Sequence, residues 1–323
     1  ARPLLTRREV WAAVLIMLLI ASPFLYWQVA NDWLFFEFIF AYNAEAPEAM
    51  VIDQPVFGLI ATMNPPFLLI WLPGLVYGLS AKDPVIRILG TAAVVCLGLF
   101  MLAGVKFYFA TPLFILFSVF GALLWERWLA GRRATRRGFV VSMAFSGVFS
   151  IPIAAPVLPP PLLQQAADFI RDGEQGAPGG APAPMGRYFP HFAEMHAWPE
   201  LTAEVRRHYE ALTDDEKEQI TLMAAFFGQA GALNQLDEGA LPVAHSGHVN
   251  YHLWNEAADF SDVIAIGFEM NLLQSLYADV TVLSTFSCER CMARENGLII
   301  TRAREPKVSN REIRAAIKRY YFF

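Results

Sequence analysis

Apolar residues run in long blocks through the first half of the chain and in short ones through the second. A helix needs about 20 apolar residues to cross a hydrocarbon core, and blocks near that length predict spans at Val10–Ala30, Pro55–Leu79, Val85–Ala103, Phe107–Trp125 and Phe139–Val157. Pro152, Pro156 and the run Pro159-Pro160-Pro161 close the last block as a stiff exit from the membrane. Gly173–Gly186, rich in Gly, Pro and Ala, reads as a flexible loop. Beyond it the pattern predicts a helix over Trp198–Leu212, then Thr213 as N-cap of a turn opening with Asp214-Asp215-Glu216. Short apolar runs predict strands at Ile220–Phe226, Leu241–Ala244, Val263–Gly267, Val280–Leu283 and Leu298–Thr301, with a short helix at Gln229–Leu236, which makes a small α/β layer. The expected fold is a polytopic α-helical membrane protein of about five transmembrane helices, residues 1–157, followed by a small soluble α/β domain, residues 158–323.

Composition agrees, because 55% apolar residues, 17% charged residues and 26 Phe exceed ordinary soluble usage. Charge divides the chain at the same place: residues 1–157 carry 8 acids and 11 bases, and residues 158–323 carry 22 acids, 14 bases and all six histidines. No basic block interleaved with aromatics points to nucleic acid. Arg2, Arg7 and Arg8 precede the first span, Lys82 and Arg87 flank the link between the second and third, and Arg127, Arg132, Arg133, Arg136 and Arg137 fill the link before the fifth. The loop from Asn31 to Gln54 instead holds Asp32, Glu37, Glu45, Glu48 and Asp53 without a base. The positive-inside rule then puts a multi-pass protein in the inner (plasma) membrane, with the N-terminus and the Arg-rich link cytoplasmic. The acidic loop, Lys106 and the C-terminal domain fall on the external, periplasmic side. The first run continues through Phe24-Leu25-Tyr26-Trp27 without an A-x-A-like site, so it reads as a retained helix rather than a signal peptide. The chain opens at Ala1 without Met, as a C-terminal part of a longer protein or a processed N-terminus would.

Lys106 is the only charged residue between Arg87 and Glu126, with 18 uncharged residues before it and 19 after it. A cation is costly at the bilayer centre and tolerated at the interface, so it belongs at a turn between two spans. There, beside Phe107, Tyr108 and Phe109, an ammonium can meet a lipid phosphate; the alternative is a lysine that snorkels and only anchors the helix ends. Tyr108 can donate a hydrogen bond to the same phosphate or belong to an interfacial aromatic belt.

The order of short motifs is similar to that in the later membrane helices of bacterial GT-C glycosyltransferases. It runs Pro23-Phe24-Leu25-Tyr26-Trp27-Gln28 with Asn31 and Trp33, Asn64-Pro65, Trp71-Leu72-Pro73-Gly74-Leu75, and Gly104-Val105-Lys106-Phe107-Tyr108 with Pro112. It continues through Gly228-Gln229-Ala230-Gly231-Ala232, Leu241-Pro242, Ser246-Gly247-His248 with Asn250-Tyr251 and Trp254, and Met292 with Glu295-Asn296. The chain thus resembles dolichyl-phosphate-mannose protein mannosyltransferases and aminoarabinose transferases over nearly its full length. The resemblance implies transfer of a sugar from a polyprenyl-phosphate-linked donor to a lipid, glycan or protein acceptor at the external membrane face. It implies Lys106 and Tyr108 as ligands of the donor phosphate, because the polyprenyl phosphate leaves as an anion that a fixed cation stabilises. Gln229, His248, Asn250 and Tyr251 are the substrate-contact or domain-interface candidates. The family's catalytic carboxylate lies in a first external loop, which the match places upstream of Ala1; Asp32 and Glu37 are not assigned as the base, and the catalytic residue is unknown. Where this chain has Gln229 the family tends to show an acid.

His245, His248 and His252 are close enough in sequence for metal ligands but follow a strand without a carboxylate at motif spacing, so no metal or other cofactor is expected. Cys288 and Cys291 form a C-x-x-C that can be a local disulfide in an oxidising compartment or two free thiols, and Cys96 reads as a packing residue in a span. Two function classes remain: a membrane glycosyltransferase or part of one, and a non-catalytic membrane-anchored domain that binds a partner or a glycan.

Overall fold

The computed structural model describes residues 7–45, 65–102, 107–155, 157–175, 190–288, 290–292 and 294–320. The protein is mostly helical, with one five-stranded sheet in its C-terminal half. Contacts divide it into two compact units, one of residues 1–46, 206–283 and 300–323, the other of residues 47–205 and 284–299.

Helix α1 (Arg8–Ala30) carries no charge after Glu9 and turns almost every side chain outward. Its one buried residue is Gln28, which accepts the Phe35 N–H on Oε1 at 3.1 Å and so closes the turn at 31–33. Asp32 and Trp33 sit there at φ 51° and 60°, in the left-handed region. The expected acidic loop from Asn31 is instead helix α2 (Leu34–Glu45), because no Gly or Pro interrupts the chain before Pro47.

Helices α3 (Leu68–Ser80), α4 (Pro84–Leu102), α5 (Thr111–Trp128) and α6 (Arg133–Ala154) follow, with 3₁₀ turns at Pro65–Phe67 and Phe107–Ala110. Two described helices, α1 and α4, are long and apolar enough to cross a membrane, and α3 is apolar but shorter. Glu126 and Arg127 cut into the end of α5, and Arg133, Arg136 and Arg137 occupy the start of α6. The first ten residues of the expected second span, and Ala103, lie outside the described residues. Close backbone approach packs α3 on α5: a Cβ on Gly74 would lie 2.9 Å from the Phe117 carbonyl carbon, and one on Gly121 would lie 2.7 Å from that of Ile70. Trp71 meets Phe114 edge-on beside this seam, at 4.9 Å between ring centroids.

The proline run is not only a stop after α6, since Pro160 and Pro161 open helix α7 (Pro160–Gln175). Proline's fixed φ and missing N–H suit a first helical turn. Leu163 and Ala167 on α7 bury against Phe192. Most of the Gly173–Gly186 stretch is outside the described residues.

Helix α8 (Trp198–Glu210) precedes α9 (Asp214–Gln219), where Thr213 and Glu216 form a capping box. The α/β layer then runs β1 (Thr221–Ala224), α10 (Phe227–Leu236), β2 (Ala244–Ser246), a 3₁₀ turn at Val249–Trp254, β3 (Asp262–Ile266), α11 (Met270–Leu276), β4 (Tyr277–Phe286), β5 (Leu298–Pro306) and α12 (Asn310–Ile317). Sheet order is β2-β1-β3-β5-β4; β2, β1 and β3 are parallel, and β5 is antiparallel to β3. Strand β2 begins where the expected one ended. Pro242 has no N–H for a ladder, and the Asn234 side chain holds Ala244 at both its N–H (2.7 Å) and its C=O (3.0 Å). Met223, Phe260, Val263, Leu273, Tyr277 and Ile313 build the core, and the Tyr277 hydroxyl donates to the Phe260 carbonyl at 2.8 Å.

Candidate functional site

Parallel strands β1 and β2 lie side by side, with β2 at the edge of the sheet, and the residues that follow the two strands come together there. Three of the four candidates in this half meet there. Gln229 is buried in the first turn of α10, where its Oε1 accepts the Phe226 N–H at 3.1 Å. His248 is fully buried, stacked on Phe227 at 5.4 Å and 11° and tilted against Phe226 at 5.1 Å. The Phe227 N–H points at its Nδ1 at 3.5 Å. Tyr251 turns its hydroxyl toward Gly231 and packs on Trp254, ring centroids 4.7 Å apart. Asn250 faces solvent on the same turn, and Trp254 is 65% exposed. Gln229 and His248 therefore shape the site from inside, while Asn250, Tyr251 and Trp254 offer an amide and two aromatic rings at the surface. Lys106 lies outside the described residues, and Tyr108 falls in the Phe107–Ala110 turn.

The segment after α12 lies along the end of β2. Arg319 pairs with His248 as a parallel bridge: the Val249 N–H donates to the Arg319 carbonyl at 2.9 Å, and the Arg319 N–H donates to the Gly247 carbonyl at 3.1 Å. The Arg319 guanidinium donates to the Ala225 carbonyl at the end of β1. Gly247 is required by proximity, since a Cβ there would lie 2.7 Å from Ile317 Cγ1 and nearer still to the Ile317 carbonyl.

This pinned tail presents Lys318 to α2. Its Nζ donates to Glu37 Oε1 at 2.7 Å and lies 5.4 Å from the centre of the Tyr320 ring. Tyr320 meets Phe38 edge-on at 5.9 Å and His252 at 5.7 Å. The phenol oxygen is buried close enough to Lys318 and Glu37 to affect their titration, but makes no bond of hydrogen-bond geometry among the described residues. The Lys318 bond lowers the Glu37 pKa, so its carboxylate is a poor proton acceptor. Burial works against the Lys318 cation, yet the Glu37 bond and the adjacent phenol outweigh it and raise its pKa. Neither the pair nor Tyr320 was marked by sequence reasoning, because Glu37 and Lys318 are 281 residues apart. The faint signal was a basic and aromatic cluster, Lys318-Arg319-Tyr320, directly after an amphipathic helix.

The three neighbouring histidines have separate partners. His245 Nδ1 lies 3.2 Å from Asn255 Oδ1, His248 packs between phenyl rings, and His252 Nδ1 meets the Val249 carbonyl. Burial lowers the pKa of both His245 and His252. Cys288 and Cys291 form a disulfide, which decides between the two alternatives for that motif. The Cys288 N–H donates to Asn296 Oδ1 at 3.1 Å. In comparisons with known proteins, no family model, no curated protein and no solved structure matches the chain.

Proposed function

We propose that this protein is all or part of an integral-membrane glycosyltransferase of the GT-C type. It moves a sugar from a polyprenyl-phosphate-linked donor to a lipid, glycan or protein acceptor at the external membrane face. The Glu37–Lys318 contact is the observation that carries the reading. It brings the segment after the first span against the C-terminal domain, which requires both on one side of the bilayer. Four further spans between them satisfy that requirement, as in the five-span topology with a cytoplasmic N-terminus. Lys106, between α4 and α5 in the chain, then returns to the same external side, where the phosphate of the donor lies. Lys106 and Tyr108 hold that phosphate, and the half-buried Tyr251 and exposed Trp254 rings offer flat apolar faces against which a sugar ring can pack.

The engaged Glu37 carboxylate is unsuited to deprotonating an acceptor, in keeping with its not being the base, and a second reading rests on the surface rings of Tyr251 and Trp254 alone. In it the C-terminal domain is a membrane-anchored binding module for a glycan or a partner.

Binding of a fluorescent polyprenyl phosphate to the detergent-solubilised protein tests the first reading. Lys106→Met keeps the apolar stem and removes the cation and its hydrogen bonds, each contributing about 1.5–3 kcal/mol, so affinity should fall roughly 10-fold or more. Unchanged affinity in a folded Lys106→Met protein would leave the lysine only an anchoring role. Cysteine labelling at Arg133→Cys and Gly179→Cys, in a background without native cysteines, tests the topology. Reaction of both from one side of the membrane would overturn the five-span reading.

A further inference from the structure

Helix α6 begins with a one-sided pattern. Arg133, Arg136, Arg137, Val140 and Val141 recur at helical spacing, so three guanidiniums lead directly into an apolar stripe on one face. The same five residues line a hollow of about 370 Å³. Arg136 also lines a neighbouring groove of about 430 Å³ between α5 and α6, whose walls include Trp125, Phe139 and Met143. Trp125 is fixed there, stacked on Phe139 at 4.5 Å with its Nε1 donating to the Leu69 carbonyl at 2.7 Å. The two hollows share Arg136 and Val140; Val141 lines only the first, and Phe139, Met143 and Glu126 only the second.

Charge at the rim is nearly uncompensated. Glu126 meets Arg136 at 3.7 Å with both side chains mostly exposed, a weak pair. Arg127 instead donates to the Tyr77 hydroxyl at 3.0 Å, and Arg132, Arg133 and Arg137 form no ion pair with a described residue. Positive charge at a cytoplasmic helix end needs only the positive-inside bias to explain it. That bias does not require three arginines on one face, nor two adjoining hollows with apolar walls beside them.

We infer that the arginine face of α6 is a binding site for one anionic phospholipid. Its phosphodiester sits among Arg133, Arg136 and Arg137, one acyl chain follows Val140 and Val141, and the other enters the groove beside Phe139 and Met143. Guanidiniums suit this headgroup because they pair with phosphate oxygens in bidentate geometry, and basic pockets between membrane helices select anionic lipids. The inference rests on α6 lying in the membrane, as proposed above, and is independent of any sugar transfer.

Native mass spectrometry of the detergent-solubilised chain, titrated separately with phosphatidylglycerol and phosphatidylcholine, tests it. The wild type should retain one phosphatidylglycerol and bind phosphatidylcholine at least roughly 10-fold more weakly. The triple variant Arg133→Gln/Arg136→Gln/Arg137→Gln should lose that preference, whereas Arg2→Gln/Arg7→Gln/Arg8→Gln, with the same charge change, should keep it. Val141→Trp fills the first hollow without altering charge and should also weaken binding, which keeps the test sound if the triple variant misfolds. Equal retention of both lipids, equal loss in the N-terminal control, no effect of Val141→Trp, or displacement by millimolar inorganic phosphate would each overturn the lipid site. Labelling of Arg133→Cys and Gly179→Cys from one side would overturn the span reading instead, so the two failures are distinguishable.

Discussion

Replacing Gly247 with Ala adds one methyl group where the structure has no room for it. The new Cβ would lie 2.7 Å from Ile317 Cγ1 and within forbidden distance of the Ile317 carbonyl, which is backbone and cannot rotate away. Gly247 is not among the residues at positive φ, so alanine tolerates the backbone itself and the penalty is purely steric. The tail must therefore move away from β2. Movement breaks the Val249–Arg319 and Arg319–Gly247 bonds, of 2.9 and 3.1 Å. Overpacking typically costs about 1–3 kcal/mol and each of the two backbone bonds contributes about 0.5–1.5 kcal/mol, so a local loss of about 2–6 kcal/mol is expected.

Hydrogen exchange followed by mass spectrometry of the intact protein reads that loss directly. Exchange limited by local opening accelerates tenfold for each 1.4 kcal/mol, so peptides covering 247–252 and 317–320 should exchange roughly 30-fold faster or more. Gly138→Ala is the control, because a Cβ there meets nothing within 4 Å. Unchanged exchange at both peptides in Gly247→Ala would refute the account of this glycine and of the tail it accommodates.

Gly121→Val should separate α3 from α5, because its side chain would enter the Ile70 backbone; a loss of about 1–3 kcal/mol is expected, read as a lower unfolding temperature in detergent. Stability should also fall as pH drops below about 6.5, through the depressed pKa values of His245 and His252. The unfolded chain binds more protons there than the native one, so the native state loses stability as these half-buried imidazoles are forced to charge. Thermal unfolding between pH 8 and 5 checks the sign, and His252→Gln should flatten the slope; a midpoint that rises on acidification would contradict it.

Long uninterrupted apolar runs made α1 and α4 legible, and the Thr213-x-x-Glu216 capping box made the start of α9 legible. The misses have identifiable causes. The stretch from Asn31 was read by its acids, although the absence of Gly and Pro through Glu45 decided for helix α2. The run Pro159-Pro160-Pro161 lies beyond the end of α6, as a stop implies, but it also starts α7, because proline at the first positions is an ordinary helix start. The Ser309-x-x-Glu312 box that begins α12 is as visible in the sequence as that of α9. His248 and Gln229 stood out as polar residues, but sequence cannot report that both are buried, the one against phenyl rings and the other under its own helix turn. Nothing local in the chain could pair Glu37 with Lys318.

That pair also has a definite rank among the contacts between α2 and the α/β layer. Its side chains remain 33% and 48% exposed, so solvent screening limits its net worth to about 0–1 kcal/mol despite the 2.7 Å bond. The edge-on contact of Phe38 with Tyr320 is worth about 0.5–1.5 kcal/mol beyond the area it buries, and salt does not screen it. The apolar contact therefore does most of the holding, and the ion pair chooses the register in which Lys318 and Tyr320 meet α2. Ser246-Gly247-His248 supports both contacts from behind, because it sets the strand edge on which Arg319 lies, between the two residues that face α2. The motif thus acts through the tail, and its histidine is a packing residue whose ring closes the gap between β2 and Phe226-Phe227.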